Sequence, residues 1–300
     1  MTGALTFDGK VVVVTGAGNG VGRAHALEFA RRGARVVVND LGGSTDGRGG
    51  DDAAARKVVA EIAAAGSEAT PNFDSVATPA GGDAIIQTAL DTFGRIDVLV
   101  SNAGILRDKS VAKLEWEDLD AVLDVHLRGG FYVSRPAFRA MKGAGGGRII
   151  LTTSASGLYG NFGQANYAAA KLGLIGLTRV LALEGARAGI LANAVAPVAT
   201  TRLTRGADGD VDDPMAPSNV SPLVVALAHE SCDISGEVFL AGGGVFARSW
   251  VALAEGWVPS ADELTVEGVA ANWDTIRSTA GAFEPVDAMS LGPWLQERIG

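Results

Sequence analysis

Cysteine is almost absent from this chain of 300 residues. Cys232 is the single one, so no internal disulfide framework can form, and we expect a reducing compartment and a cytoplasmic protein. Long hydrophobic runs are also missing, because no stretch reaches the roughly 18 apolar residues that a membrane span requires. The residues before the first apolar run lack the pattern of a secretory leader. The sequence therefore predicts no membrane partner.

Basic residues are outnumbered, with 25 Lys and Arg against 34 Asp and Glu and a net charge of −9. A surface that binds nucleic acid needs a basic face, so this balance argues against nucleic acid as a partner. An anionic small ligand stays possible, because a pocket can be locally positive. Histidine is scarce as well. His25, His126 and His229 lie far apart and Cys232 has no thiol partner, so we predict no metal site.

Glycine is abundant, at 41 residues, which is typical of tight turns and close packing of helices on a sheet. Apolar runs of strand length alternate with longer segments of helical period. Because these strands are continuously apolar, we expect both faces of their sheet to be covered. The pattern predicts an α/β fold with a doubly wound parallel sheet of Rossmann type and about seven strands. The predicted strands are Val11–Thr15, Arg35–Asn39, 68–74, 96–101, 148–153, 191–196 and 237–241, and the predicted helices are 20–32, 51–65, 81–93, 116–141 and 167–188.

Two regions interrupt this alternation. Residues 200–219 are polar, acidic and contain proline, which indicates a mobile loop. Residues 245–300 follow the last predicted strand and hold four of the five tryptophans. We interpret residues 245–300 as a C-terminal extension that wraps the same domain or builds a subunit interface. No linker is long enough to separate a second domain, so residues 1–300 are predicted to form a single domain.

A glycine-rich turn, TGAGNGVG from Thr15, follows the first strand directly and opens a helix. Glycine lets backbone N–H groups and a helix N-terminus face a pyrophosphate, so the turn predicts a dinucleotide site. A tight turn without a ligand is the alternative. The predicted contacts in this turn are Gly16, Asn19, Gly20, Val21 and Gly22.

An acidic residue, Asp40, ends the second strand, 24 residues after Gly16. Its carboxylate can accept hydrogen bonds from ribose hydroxyls and would repel a 2′-phosphate, so the sequence favours NAD over NADP. Asn19 is neutral where a phosphate-binding cation would stand. Arg23 weakens the inference unless it pairs with a nearby carboxylate. Asp40 as a plain turn residue is the alternative.

A tyrosine and a lysine, Tyr167 and Lys171, stand one helical turn apart. A free phenol has a pKa of about 10 and is a poor base. An ammonium group at i+4 is predicted to lower that pKa, so that the phenol can exchange a proton with a substrate alcohol or carbonyl. Ser154 ends the preceding strand, at the sheet edge where the site should lie. The alternative is an ordinary surface pair on a helix.

Four motifs in this order resemble the short-chain dehydrogenase/reductase family, of which the chain is identified as a member over residues 7 to about 245. They are TGAGNGVG, SNAG at 101–104, a strand-end serine thirteen residues before the tyrosine, and YAAAK. Longer stretches, NDLGG, NAGILRDKS, VHLRGGF, SASGLYGNFGQANYAAAKLGL and ANWDTI, resemble the (R)-3-hydroxyacyl-CoA dehydrogenase domain of the peroxisomal D-bifunctional (multifunctional) enzyme and its bacterial stand-alone relatives.

The resemblance implies roles for the catalytic residues. Ser154 would hydrogen-bond the substrate oxygen, Tyr167 would be the general acid/base, and Lys171 would lower the tyrosine pKa and hold the nicotinamide ribose. His126 stands where most of the family has an asparagine that holds a relay water. It could hold that water, titrate near neutral pH, or simply pack under the active-site helix.

The resemblance also implies further cofactor contacts. Asp74 and Ser75 would lie near the adenine, and Asn102, Ala103 and Gly104 on the adenosine side. The segment 197–201, with Pro197 and Thr200, would contact the nicotinamide end.

The implied function is hydride transfer between NAD and a secondary alcohol or ketone, on a 3-hydroxyacyl-CoA or a steroid-like substrate. Residues 1–300 would then be a single dinucleotide-binding catalytic domain. One alternative is an NADPH-dependent 3-oxoacyl carrier-protein reductase, which Asp40 opposes. Another is a non-catalytic NAD-binding sensor or scaffold, which would need neither Tyr167 nor Lys171. The family commonly forms a homodimer or homotetramer, and the apolar residues of 172–183 could serve that contact or pack on the sheet.

Overall fold

The fold is a single large sheet flanked by helices, in a computed structural model that describes residues 4–205 and 213–299. Its strands are β1 (Val11–Thr15), β2 (Arg35–Asn39), β3 (Ala69–Asn72), β4 (Val98–Ser101), β5 (Gly147–Thr152), β6 (Ile190–Pro197), β7 (Val238–Gly242) and β8 (Val245–Ser249).

The spatial order of the strands is β3-β2-β1-β4-β5-β6-β7-β8. Every pairing from β3 to β7 is parallel, which confirms the predicted doubly wound parallel sheet. The chain runs outward from β1 to β3 and then crosses back to β4 on the other side of β1. In an open α/β sheet, ligands bind beyond the carboxyl ends of the strands at such a reversal. The site is therefore expected where β1 and β4 end.

The sheet has eight strands rather than about seven. Only Gly243 and Gly244, both with positive φ, separate β7 from β8. A connection this short joins antiparallel neighbours, because parallel strands need a long crossover. β8 is exposed along most of its length, so it lacks the continuous apolar pattern by which buried strands are recognised.

Helices cover both faces of the sheet. Val12 and Val14 of β1 pack in one apolar core, and Val11 and Val13 pack in a second core on the opposite face. None of the described helices is long and apolar enough to cross a bilayer. The helices up to β7 are α1 (Gly20–Arg31), α2 (Ala53–Ala64), α3 (Pro79–Phe93), α4 (Trp116–Leu123), α5 (Gly129–Ala144), α6 (Ala155–Tyr159), α7 (Ala165–Gly185), α8 (Arg202–Arg205) and α9 (Ser221–Ala228).

The helix predicted over 116–141 is divided into three parts. A π-helical segment, Asp124–Arg128, separates α4 from α5 and turns His126 into the protein interior. A π turn adds one residue to a helical turn, which a search for a 3.6-residue period does not detect. Within the predicted loop 200–219, α8 and a 3₁₀ turn at Pro217–Asn219 are formed, and residues 206–212 lie outside the described residues.

The chain divides into two compact units after Arg248. The second unit contains α10 (Val266–Ala271), α11 (Trp273–Ile276) and α12 (Leu291–Ile299). Within this unit, Leu253 and Phe283 exchange two backbone hydrogen bonds of 2.8 and 3.0 Å, and the Phe283 ring lies 5.6 Å from that of Trp294. The interpretation of residues 245–300 as an extension of one domain over 1–300 stays a prediction.

The start of β1 offers a test of the scaffold. Asp97 accepts a hydrogen bond from the buried Val11 N–H at 2.8 Å and two from Arg95. Asp97→Ala leaves that N–H without an acceptor, so we expect the free energy of unfolding to fall by about 1–3 kcal/mol in urea titration. Asp91→Ala, which removes an exposed carboxylate, should change it by less than about 0.5 kcal/mol. Equal losses in the two variants would contradict this assignment.

Candidate active site

The turn between β1 and α1 depends on glycine. Gly16 and Gly20 have φ values of +64° and +53°, in the region that disfavours other residues. A Cβ on Gly22 would lie 2.2 Å from the Gly16 carbonyl oxygen. The first turn of α1 has no acidic residue, and the Asn19 side chain makes no capping hydrogen bond. The positive end of the helix dipole therefore meets no carboxylate of its own first turn, which suits an anion.

The ends of β1 and β4 are joined by side chains. The Thr15 hydroxyl accepts hydrogen bonds from the N–H groups of Asn102 at 2.9 Å and Ala103 at 3.1 Å. The Asn102 amide in turn donates to the carbonyls of Thr15 at 3.0 Å and Gly16 at 3.2 Å. Asn102 and Ala103 thus hold the glycine turn at the sheet reversal, besides lining the cleft there.

The Asp40 carboxylate is oriented by two backbone groups. Its Oδ2 accepts from the Gly18 N–H at 2.8 Å, and its Oδ1 accepts from the Gly42 N–H at 2.7 Å. An ionised carboxylate has about four acceptor positions, so two remain for ligand hydroxyls. Arg23 forms an ion pair with Glu61 on α2. It therefore has the carboxylate partner whose absence would have weakened the inference of NAD over NADP.

The catalytic candidates come from β5, α6 and α7. Ser154 caps α6, where its hydroxyl accepts from the Ser156 N–H at 3.1 Å, and it lies close enough to Tyr167 to lower the pKa of the phenol. Lys171 is buried one turn further along α7, and its Nζ donates to the Thr152 carbonyl at 2.6 Å. The structure thus brings the predicted serine, tyrosine and lysine together.

Lys171 lies in an environment that disfavours its charge. Burial lowers the pKa of its ammonium group to about 7. Burial therefore favours the neutral amine far more than it does for an exposed lysine. The Thr152 carbonyl, which accepts a hydrogen bond from Nζ, is neutral and offsets only part of the loss of water.

The pKa of Tyr167 moves in the direction opposite to the prediction. Burial raises the pKa of the phenol, the Ser154 hydrogen bond lowers it, and the Asp108 carboxylate raises it. Lys171 lies on the same side of the site, with its Nζ 5.5 Å from the ring centroid. The net shift is thus set by burial, and the lowering of the Tyr167 pKa by Lys171 stays a prediction.

His126 packs against the tyrosine. Its ring meets the Tyr167 ring edge to face at 5.1 Å, and its Nε2 lies 2.8 Å from the Ile105 carbonyl oxygen. A Cβ on Gly104 would lie 2.4 Å from the imidazole, so only glycine allows this packing. Burial and then the Lys171 charge lower the pKa of His126 well below its usual value, although the hydrogen bond to Ile105 raises it. The suggestion that His126 titrates near neutral pH is wrong.

One atom of this histidine is poised for a further contact. Nδ1 of His126 is buried and has no hydrogen-bond partner among the described residues. The imidazole lines the cleft, so a bound group or water can satisfy this nitrogen.

These groups surround a cleft of about 440 Å³, within the range usual for small-molecule sites. Ser154 is a predicted site residue that is absent from the described lining of this cleft. Pro197 and Thr200 are not among the described residues that line the cleft. In this segment the backbone N–H groups of Val198 and Thr200 donate to the carbonyls of Ala241 and Met215. Residues 201–203 line that end instead. The predicted residues that line the cleft are Gly16, Asn19, Gly20, Val21, Gly22, Asp40, Asp74, Ser75, Asn102, Ala103, Gly104, His126, Tyr167 and Lys171.

Sequence reasoning missed one wall of the cleft. Gly43, Ser44, Thr45 and Gly47, from the connection between β2 and α2, line it together with Arg107. The glycines of this connection were the sequence feature that could have indicated this wall. Glycine has no side chain that binds a ligand, so they did not identify it as part of the site.

The residues present fit a nicotinamide dinucleotide. A Cβ on Gly18 would lie 2.7 Å from Asp40 Oδ2, so the turn is a cradle that a side chain would fill. The start of α1, which has no side-chain cap, suits a pyrophosphate, and no group in residues 4–205 and 213–299 hydrogen-bonds the buried Nδ1 of His126. Over residues 4–205 and 213–299, no group of three or more His, Cys, Asp or Glu side chains could hold a metal ion.

Comparison with known proteins places this architecture in a family. Residues 10–210 match the sequence model for short chain dehydrogenase. Peroxisomal multifunctional enzyme type 2 of Mus musculus is 49% identical over 288 residues, which are 95% of this chain and 39% of that protein. A hydroxyacyl-CoA dehydrogenase of Mycobacterium tuberculosis is 40% identical over 262 residues, 81% of this chain and 80% of that protein.

A solved structure agrees with these matches. Full-length peroxisomal multifunctional enzyme type 2 from Drosophila melanogaster superposes with a TM-score of 0.82 at 39% identity, over 98% of this chain and 50% of that one. The chain therefore spans half or less of the length of these two multifunctional enzymes. The resemblance inferred from the motifs is confirmed.

The depressed pKa of Lys171 predicts how stability depends on pH. In the unfolded chain the lysine has its ordinary pKa of 10.5, so between pH 7 and 10 the unfolded state binds more protons than the folded state. The contribution of Lys171 to the free energy of unfolding should therefore rise with pH there, by at most about 1.4 kcal/mol per pH unit. Urea titrations at several pH values should show this slope in the difference between the native chain and Lys171→Met. Lys57→Met, an exposed control, should give a flat difference, and two flat differences would refute the low pKa.

Proposed function

The chain belongs to the short chain dehydrogenase family, and on that premise we propose that it is an NAD-dependent dehydrogenase of 3-hydroxyacyl-CoA thioesters. Family membership makes it an oxidoreductase that acts on CH–OH groups with a nicotinamide dinucleotide. The choice of NAD and of the thioester is the proposal. The observation that carries it is the pairing of Tyr167 with the buried Lys171 one helical turn away, both in the wall of a cleft that also contains the glycine turn and Asp40.

The chain supplies the proton chemistry of this reaction. A bound nicotinamide ring supplies the hydride donor or acceptor for the carbon that bears the substrate oxygen. Burial keeps the Tyr167 phenol protonated at neutral pH, so it can donate its proton to the substrate oxygen when a ketone is reduced. Ser154 donates a second hydrogen bond that orients the same oxygen. In the oxidative direction Tyr167 must first lose its proton, which nearby positive charge favours.

His126 completes the path of that proton in this proposal. Its imidazole is neutral near pH 7, because burial lowers its pKa. A neutral imidazole can accept or donate one hydrogen bond through Nδ1, the atom that lacks a partner. We propose that His126 binds a water molecule, and that this water exchanges protons with the Lys171–Tyr167 pair.

The thioester substrate is supported by relatives and by the cleft rim. The similar protein from Mycobacterium tuberculosis is named a hydroxyacyl-CoA dehydrogenase. Tyr159 and Phe162, which are 70% and 91% exposed, lie between Ser154 and Tyr167 in the chain and offer apolar surface for an acyl chain. A steroid-like alcohol would use the same surface and is the second candidate. A 3-oxoacyl carrier-protein reductase that uses NADPH is disfavoured by Asp40.

Self-association through α7 is part of the proposal. Leu174, Ile175 and Leu181 of this helix are buried, whereas Leu172 and Leu183 are 50% and 55% exposed. One face of residues 172–183 therefore packs on the sheet, and the other faces solvent and is available for a subunit contact. We propose that the chain forms a homodimer or homotetramer. We also propose that it lies in the cytoplasm, because the single Cys232 suits a reducing compartment.

The first experiment measures reduced nicotinamide by absorbance. The chain is mixed with NAD and a panel of (R)- and (S)-3-hydroxyacyl-CoAs and a hydroxysteroid. Turnover with an (R)-thioester is expected, and Tyr167→Phe should lower kcat/KM by about 10²–10⁴ because the proton donor is lost. Tyr159→Phe is the matched control and should keep most of the activity. Turnover confined to the steroid would replace the substrate, and an active Tyr167→Phe would refute the role of the phenol.

The cofactor assignment rests on Asp40 and has its own test. Asp40→Ala removes the acceptors for ribose hydroxyls and the charge that repels a 2′-phosphate. NAD affinity in a calorimetric titration should fall by about tenfold or more, while NADP affinity should not fall in parallel. Asp52→Ala, which removes an exposed carboxylate at the start of α2, should leave the ratio of the two dissociation constants unchanged. An unchanged ratio in Asp40→Ala would overturn the NAD assignment.

A further inference from the structure

The connection between β2 and α2 forms a compact loop, residues 41–51, here called the strap. It contains five glycines, and its ends meet where the Asp51 N–H donates to the Leu41 carbonyl at 3.0 Å. Inside it, the N–H groups of Ser44 and Gly47 donate to the carbonyls of Arg48 and Ser44 at 2.9 Å each. Close ends and internal bonds are typical of an Ω-loop, a class of loop that is frequently functional.

The strap crosses the dinucleotide end of the cleft. Strands β2 and β4 lie on opposite sides of β1, so their ends are about 10 Å apart. The Leu106 N–H, in the loop after β4, donates to the Thr45 carbonyl of the strap at 2.9 Å. A Cβ on Gly47 would lie 2.9 Å from Ile105 Cδ1. These contacts join the two loops across the end of β1, where the glycine turn around Gly16 lies.

Arg107 connects the strap to the rigid part of the site. Its Nε donates to the Asp46 carbonyl of the strap at 2.8 Å, and its side chain is only 18% exposed. Its own carbonyl accepts from the buried Asn166 amide at 3.1 Å. The Asn166 side chain also accepts from the Tyr167 N–H at 2.8 Å. One residue thus holds the strap with its side chain and is itself held at the start of α7.

We propose that Arg107 is a positioning residue that latches the strap across the cleft and thereby sets how long a bound dinucleotide stays. The proposal rests on the proposed function, because it takes the ligand to be a nicotinamide dinucleotide. Exit from the cleft then requires the strap to separate from Ile105 and Arg107. The strap is the part that moves, because its glycine-rich backbone is mostly exposed, whereas Asn166 is 1% exposed.

The test measures the dissociation rate of NADH by stopped-flow displacement. Arg107→Met keeps the apolar stem and loses the donor to Asp46, so NADH should leave about fivefold faster, the value of one ordinary hydrogen bond. Arg31→Met, which removes an exposed arginine from α1, should leave the rate unchanged. An unchanged rate in Arg107→Met would overturn the proposal.

Hydrogen exchange shows whether Arg107→Met frees the strap alone or loosens the whole site. This readout does not depend on which ligand the cleft binds. In Arg107→Met the Leu106 amide, bonded to the strap, should exchange faster, whereas the Asn102 amide, bonded to Thr15, should not. Equal acceleration of both amides would reduce Arg107 to a structural residue and overturn the proposal. If the native chain binds no dinucleotide, the proposed function fails, while the Leu106 amide still decides whether Arg107 latches the strap.

Discussion

The bonds between Thr15 and Asn102 are the constraint on which the rest of the site depends. They join the last residue of β1 to the loop after β4, where the order of the strands reverses. Because the Asn102 amide also binds the Gly16 carbonyl, the position of the glycine turn follows from the sheet and not from a flexible loop. The start of α1 and the Asp40 carboxylate are set by the same turn through Gly22 and Gly18. The dinucleotide end of the cleft is therefore built from backbone atoms on a rigid frame.

The catalytic end depends on buried polar groups that are unfavourable by themselves. Lys171 and His126 are each 3% exposed, and burial lowers the pKa of both. The same burial raises the pKa of Tyr167, so burial shifts all three groups toward their neutral forms. A site with little net charge is ready to respond to a ligand that carries charge, because a positive charge brought into low dielectric shifts these equilibria strongly. The ionisation of Tyr167 is thus left to depend on what occupies the cleft.

The fold could be predicted where burial and periodicity coincide. β1 and β2 have the predicted bounds, because their residues are buried on both faces of the sheet. β8 and the π-helical segment around His126 escaped prediction, since one is exposed and the other breaks the helical period. The motif positions located Ser154, Tyr167 and Lys171, but the direction of the tyrosine pKa depends on burial, which spacing does not report. Thr201, Arg202 and Leu203 line that end of the cleft, whereas the predicted contacts of the neighbouring Pro197 and Thr200 with a nicotinamide stay a prediction.

The two ends of the cleft differ in how much a sequence can say about them. At the dinucleotide end, recognition is made by glycines, backbone N–H groups and one carboxylate, so substitutions are tightly restricted and a motif results. The surface proposed for the substrate consists of exposed side chains such as Tyr159 and Phe162, and many apolar residues could replace them. Reaction class therefore follows from the rigid half of the site, whereas the substrate follows from side chains that no backbone constraint selects. This difference is why the family and the proton chemistry can be argued from residues, whereas the substrate enters only through the proposed function.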